Sequence, residues 1–514
     1  FNGDNVKQGV RETKGVGAGV YLTYQVKDSV QVTAKVGLSY TSVENARINL
    51  QKEAENLSFD EVKEQSHQTW ENYLGRVRVE TADKNNKIKF YTGLYHALLG
   101  RGLVNDVNGA YPHHNGSIGQ LPMEGDKPVH NVYNTDAIWG GQWNLAQIWA
   151  LAYPEYLSDY ISSHLQAYKD AGWLADGLAN NRYVSGVGTN LLSTVISGAY
   201  QCGIRDFDTK LAYEACLKNE LDGKNRPLGA GKVDTEMFVK YGYVPHQDEG
   251  NGPDEAFMFS ASHTLEYSYS AWAVAQWAKE NGDEKNYNEL MRLSKGWERL
   301  YDASTNFIRP KKADGQFIEP FDPMQVWRGF QEGNAWQYTF YVPHDVKGLA
   351  RLMGGRKPFI DKLQMVFDEG LYDPANEPDI AYAHLFSYFK GEEWRTQKET
   401  QRLLDKYFTT KPDGIPGNDD TGTMSSWAIF NMIGFYPDCP GLPEYTLTTP
   451  VFNKVTIRLD PKWYKENELV IETNRTQPGA LYIDKVLLNG KKFNKYHITH
   501  DELVHGKYLK FDLK

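Results

Sequence analysis

The chain has 514 residues and a formal net charge of −10, enough length for roughly three average domains or one large helical barrel with a β-appendage. Its acidic balance, without any Lys/Arg-rich block, excludes nucleic acid or an anionic membrane as the main partner, and no apolar run reaches the ~18 residues of a transmembrane helix. Aromatic residues make up 13%, a surplus that suits core packing and equally suits the weakly polar faces of sugars.

The chain opens on Phe1-Asn2-Gly3-Asp4, without a signal-peptide pattern, and soon turns strand-like, so it reads as the middle of a domain. Residues 19–41 alternate Val20, Leu22, Tyr24 and then Val30, Val32, Ala34, Val36 around Lys27-Asp28-Ser29, which predicts a hairpin. The glycines of Gly15-Val16-Gly17-Ala18-Gly19 precede that strand pattern rather than a helix, which argues against a phosphate loop. Ser58-Phe59-Asp60-Glu61 is a capping box that should open a helix reaching Leu74. Helical patterns recur to about residue 434, near 86–104, 141–167, 188–203, 207–220, 258–281, 284–301, 333–353, 357–366, 378–390, 394–408 and 422–434. About a dozen helices joined by long Gly/Pro/Asn/Asp-rich loops predict an α/α-barrel whose loops build a site at one end. After Tyr436-Pro437 the period returns to two, through Val455, Ile457 and Leu459, Leu469-Val470-Ile471, and Val486-Leu487-Leu488 before the turn signal Asn489-Gly490. The expected organisation is mixed α and β: 1–50 as the end of an N-terminal β-sandwich, 51–85 as a linker helix, 86–440 as an (α/α)6-barrel and 441–514 as a C-terminal β-sandwich portion. Cys202, Cys216 and Cys439 are too few for a disulfide framework; a Cys202–Cys216 bridge and free thiols both stay open.

Hydrolysing a glycosidic bond generally takes two carboxyls, one protonated and one ionised. Glu332 precedes a helical run among Phe330, Trp336 and Tyr338, where aromatic burial raises a carboxyl pKa and a helix N-terminus lowers it; it suits a general acid or a plain helix-end charge. Asn418-Asp419-Asp420 stands between Gly/Pro punctuation and a helix, and a helix cap requires only one of those groups. Asp373-Pro374-Ala375-Asn376-Glu377-Pro378 offers oxygen donors of the kind calcium takes six to eight of. Asp136 lies near Trp139 and Trp143, a suitable platform for a sugar or the start of a helix with core tryptophans. His344 in Val342-Pro343-His344-Asp345 reads as a polar wall or a satisfied core histidine, and Asp248–Glu255 as a solvated acidic loop.

Together these stretches resemble glycoside hydrolase family 92, the calcium-dependent inverting exo-α-mannosidases. The resemblance rests on Glu319-Pro320-Phe321-Asp322-Pro323, Glu332-Gly333-Asn334-Ala335-Trp336-Gln337-Tyr338, Asn376-Glu377-Pro378, and Gly417-Asn418-Asp419-Asp420 leading to Gly434-Phe435-Tyr436-Pro437. It implies Glu332 as general acid, Asp420 with Asp419 as the segment supplying the base, Asn376 and Glu377 as calcium ligands, and Trp139, Asn190, Trp336 and His344 near the sugar. The acid and base carboxyls of an inverting pair lie roughly 6.5–9.5 Å apart. Where the family usually reads Trp-Asp-Thr, this chain has Trp139-Gly140-Gly141, so Asp136, four residues earlier, is expected to take over the lost contact. The resemblance further implies a glycan substrate, a secreted, periplasmic or cell-surface bacterial setting, and an N-terminal sandwich only partly present. A hydrolase of another α-linked sugar, or a non-catalytic glycan-binding relative, are the alternatives.

Overall fold

A computed structural model describes residues 1–3, 5–135, 138–247 and 257–514. The architecture is mixed α and β, with helices dominating from Val43 to Ile433 and strands thereafter. The capping box forms as expected: Ser58 Oγ accepts from Glu61 N, Glu61 Oε2 accepts from Ser58 N at 2.7 Å, and the helix runs Phe59–Leu74. Ser260–Glu280 is the most enclosed long helix; Leu265, Tyr269 and Trp277 on it are fully buried, with Trp277 stacked on Tyr200 at 4.3 Å.

Several expected elements differ. Residues 19–41 form no strands; Leu22 and Val36 are 74% exposed, because alternation yields a strand only where a partner edge accepts its hydrogen bonds. The turn into Ser42 instead starts a helix, Val43–Glu53, capped when Ser42 Oγ accepts from Asn45 N. The run at 141–167 divides at Tyr153-Pro154, where the proline takes the first position of Pro154–Ala171. The run at 333–353 divides into Ala335–Tyr338 and Val346–Leu352, since Pro343 lacks the donor that a continuous helix needs. Residues 378–390 are two tight 3-10 segments, Glu377–Asp379 and Tyr382–Tyr388. The three cysteines are free and buried.

A six-stranded sheet closes the chain, in the order Val77–Glu80, Lys454–Arg458, Glu468–Arg475, Tyr508–Leu513, Ile483–Leu488, Lys491–Phe493. Asn489 (φ 51°) and Gly490 (φ 76°) make the left-handed turn of its last hairpin. Its first strand comes from the helical half, with Val77 opposite Ile457 and Val79 opposite Val455. One continuous apolar core joins this sheet to the helices, running from Val77 through Trp149, Leu265 and Trp427 to Leu513.

Candidate active site

Glu332 sits at φ 53°, a left-handed conformation that only a few per cent of non-glycine residues adopt. The helix that follows is capped by Asn334, whose Oδ1 accepts from Trp336 N at 2.9 Å and Gln337 N at 3.3 Å. Glu332 is thereby released from capping, which removes the helix-end reading of this residue. The residue before it is gripped from two sides: Tyr338 Oη donates to Gln331 O at 2.8 Å, and Gln331 N donates to Ser262 Oγ at 3.1 Å. Behind Gln331 lies a fully buried pair, with His263 Nδ1 3.1 Å from Asp234 Oδ2 and His263 Nε2 3.5 Å from Gln331 Oε1. The Glu332 side chain keeps contact with solvent, yet the packing around its carboxyl, and then the charge of Asp420, raise its pKa above the usual carboxylate value.

Asp419 and Asp420 divide the work that their adjacency left undecided. Asp419 accepts from Ser425 N at 2.9 Å and Ser425 Oγ at 3.1 Å, in the first turn of Thr423–Ile433, and lies 3.0 Å from His96 Nδ1. It is therefore the helix-capping aspartate. Its pKa is raised by burial, against the pull of Ser425 and His96. Asp420 (φ 44°) and Thr421 (φ 58°) are both left-handed; the Asp420 carboxyl shares a hydrogen bond with Glu377, and its charge reaches Glu332. Consecutive left-handed residues that are not glycine are held only where the surroundings over-determine them. Here Thr423 Oγ1 donates to Asp420 O at 2.9 Å and also to Gly140 O.

Gly140 is the position that lets this loop close. A Cβ there would lie 2.6 Å from Asp420 O and 3.0 Å from Thr423 Oγ1, so the turn occupies the space of any side chain at 140. Immediately after it, Gly141–Leu145 forms a π-turn, a rare geometry that concentrates at functional sites. Asp136, expected to compensate at this point, lies outside the described residues, as does the acidic stretch at 248–255.

Glu377 is 1% exposed; its Oε2 accepts from Trp139 Nε1 at 3.0 Å, and its Oε1 has no partner. Burial, then the charge of Asp420 and a hydrogen bond shared with it, push the Glu377 pKa well above the ordinary range. Asn376 Nδ2 donates to Glu332 O at 2.9 Å and so ties this segment to the loop of Glu332. Among the described residues no group of three or more His, Cys, Asp or Glu is arranged to hold a metal ion. Calcium, however, also takes amide, carbonyl and water oxygens, and an orphaned carboxylate oxygen in a buried, acid-crowded place is costly unless a proton or cation meets it. The donor set around Asn376 and Glu377 thus fits a hard cation.

The remaining expected residues separate into near and far. Trp139 is 6% exposed, lies edge-on to Trp143 at 5.6 Å and spends its N–H on Glu377, so it holds a carboxylate rather than offering an open face. Trp336 is half-buried, edge-on to Phe307 at 4.8 Å, with Lys362 Nζ 5.0 Å from its ring. Asn190 is buried and committed to backbone: Nδ2 donates to Leu174 O at 2.9 Å, while its own carbonyl accepts from Asn219. His344 is a core histidine, its Nε2 2.9 Å from Ser294 O, its Nδ1 without a hydrogen-bond partner among the described residues, its ring stacked on Tyr269 and its pKa lowered to about 4 by burial. No hydrogen bond joins Asn190 or His344 to Glu332, Glu377, Asp419 or Asp420 among the described residues. Sequence reading missed His96, the Asp234–His263 pair and the spatial role of Gly140; only the Trp139-Gly140-Gly141 departure signalled any of them.

The family model for the glycosyl hydrolase family 92 catalytic domain matches residues 45–514. An uncharacterized secreted glycosidase of Arthroderma benhamiae is 27% identical over 96% of this chain and 62% of its own length. A family GH92 α-mannosidase from Bacteroides thetaiotaomicron superposes with a TM-score of 0.82 at 28% identity, covering 93% of this chain and 61% of that one. A family GH92 inverting mannosidase of the same organism gives a TM-score of 0.83 at 27% identity, covering 93% and 65%. The chain thus spans somewhat less than two thirds of the length of these relatives. With its matched region reaching from the first helix to the last strand, the chain belongs to glycosyl hydrolase family 92.

Proposed function

We propose that the chain is an exo-acting glycoside hydrolase that removes terminal α-linked mannose from glycans or mannan with inversion at the anomeric carbon. The observation that carries this is a pair of carboxyls in electrostatic reach of each other: Glu332, whose pKa is raised by packing and by the charge of Asp420, and Asp420 itself, held on a left-handed turn. Glu332 gives its proton to the glycosidic oxygen as the bond to the anomeric carbon breaks. Asp420 takes a proton from the water that attacks the opposite face, so the product leaves with inverted configuration. Asp419, fixed by Ser425 and His96, holds the turn that presents Asp420. Asn376 and Glu377 would hold a calcium ion, which when bound supplies a Lewis acid for two neighbouring sugar hydroxyls. Trp336, four residues on from Glu332 and half-buried, is the candidate wall for the sugar ring.

The same reading takes the helices of 86–440 as an (α/α)6-barrel, residues 441–514 as a β-sandwich portion, 51–85 as a linker and 1–50 as the end of an N-terminal sandwich. It also puts the protein outside the cytoplasm, as a secreted, periplasmic or cell-surface enzyme, in keeping with its similarity to a secreted glycosidase. One observation favours a second substrate: the crowding at Gly140 leaves no room for the carboxylate expected there, so the glycone pocket differs and another α-linked sugar is the alternative.

The test uses Glu332→Gln on two substrates. Turnover of a mannobiose, whose leaving group needs a proton, should fall at least ~10²-fold, while an activated aryl α-mannoside should lose far less. Equal rates for variant and parent on mannobiose would refute the acid assignment, and activity that survives thorough chelation would refute the calcium.

A further inference from the structure

The turn that carries Asp420 is gripped on both sides by the end of one helix. On its leading side, His96 Nδ1, in the last turn of Lys84–Leu98, lies 3.0 Å from Asp419 Oδ2. On its trailing side, Gly422 packs so closely on this helix end that a Cβ there would lie 2.7 Å from His96 O. Between these points the backbone passes through two left-handed residues, Asp420 and Thr421, which persist only where their surroundings hold them. Thr421 Oγ1 and Thr423 Oγ1 donate to Asp420 O at 2.7 and 2.9 Å, contacts made within the turn. The Thr421 carbonyl is held from outside it, by Arg101.

Arg101 stands just beyond the helix cap at Leu99 and 320 positions before Thr421. Its Nη2 donates to Thr421 O at 2.9 Å and its Nη1 to Leu99 O at 2.7 Å, so one guanidinium ties the turn to the helix end it packs against. Trp149 fixes that guanidinium in turn: its central carbon lies over the ring, 4.8 Å from the centroid. The ring is itself buried and anchored, because Trp149 Nε1 donates to Ala97 O at 2.9 Å. A planar fork can span two carbonyls in fixed directions while stacking on a ring. An ammonium on a flexible stem cannot keep all three contacts at once.

We infer that Arg101 is a positioning residue for Asp420: by fixing the carbonyl of Thr421 it locks the left-handed turn on which that carboxylate stands. The task of Asp420 as base rests on the proposed function; the clamp on the turn does not. A defect in the acid spares substrates with activated leaving groups, whereas a misplaced base slows the attack of water on every substrate. Arg101→Ala and Arg101→Lys should therefore lower kcat about 10–100-fold on a mannobiose and on an aryl α-mannoside alike, with KM within about twofold of the parent. Amide hydrogen exchange across Gly417–Thr423 should quicken in both variants. Millimolar guanidinium, filling the vacated place over Trp149, should recover part of the Arg101→Ala rate, where a fold merely loosened by the substitution would lose further activity to a denaturant. Unchanged exchange across the turn in both variants would overturn the clamp. Faster exchange with undiminished kcat, while Asp420→Ala abolishes turnover, would overturn the positioning role, as would a loss that guanidinium only deepens. Should the parent turn over no mannoside, or Asp420→Ala lose nothing, faster exchange in both variants keeps the clamp and the proposed base falls.

Discussion

At the scale of single residues, the site is built from side chains whose own backbone is strained and whose neighbours make that strain tolerable. Glu332, Asp420 and Thr421 all stand in the left-handed region, and each is pinned by contacts from distant parts of the chain. The Asp234–His263–Gln331 connection is one such device, buried behind Glu332 and linked to it only through the neighbouring Gln331. His263→Gln should therefore act as a positioning defect: mannobiose turnover falls about 10–100-fold, whereas an activated aryl α-mannoside, which needs no acid, stays within about threefold. Equal losses on both would mean that the pair serves only stability. Trp139 supplies a second case. Its N–H orients Glu377, and removing such an outer contact typically costs 10–100-fold in metal affinity. Trp139→Phe should accordingly weaken calcium binding about tenfold by calorimetric titration; an unaltered affinity would detach Glu377 from the ion.

Among the elements, the turn from Asp419 into Thr423–Ile433 carries the most consequence. Gly422 sits at φ 107°, and a Cβ there would lie 2.7 Å from His96 O and 2.8 Å from Ala97 Cα. Gly422→Ala adds both backbone strain and a clash with the helix Lys84–Leu98, so denaturant unfolding should show a loss of about 2 kcal/mol or more. Stability matching the parent would show that the turn relaxes freely. Elements with local signals were legible in sequence: the Ser58 capping box, the helical run that forms Ser260–Glu280 and the Asn489-Gly490 hairpin. Those that depended on a partner were not. Residues 19–41 alternate as a strand would and form none, and Val77–Glu80 is too short to announce itself until Lys454–Arg458 pairs with it.

Over the whole molecule, burial rather than pairing sets the titration of its interior. Glu266 is fully enclosed, and its pKa is pushed up to about 8 by desolvation, against the pull of Thr189 and Lys232 and with a further push from Asp176. The folded protein thus holds a proton that the unfolded chain releases near pH 4.5. The stabilisation is fully present below that value and is lost as pH rises through about 8. Glu266→Gln has no proton to lose, so its Tm relative to the parent should improve from pH 5 to about pH 8 and level off above it; parallel Tm curves would show that Glu266 ionises without cost. His344 and His500, lowered to about 4 by burial, act at the other side, their contribution present above the unfolded histidine pKa and lost as pH falls through about 4.

The sequence by itself determined the family of the protein and several of its local elements, because capping boxes, hairpin turns and apolar periods are written in neighbouring residues. It also singled out Glu332, Asp420 and Glu377 as candidates before any of them had a neighbour. Only the tertiary structure decided which of the two adjacent aspartates caps a helix, that Trp139 serves Glu377 instead of facing outward, and that His344 belongs to the core. Those outcomes turn on hydrogen bonds and burial that the closed fold supplies, some of them between residues hundreds of positions apart, such as Trp139 with Glu377 and His96 with Asp419. A contact of that kind leaves no periodicity in the chain; it exists only once the core has closed around it.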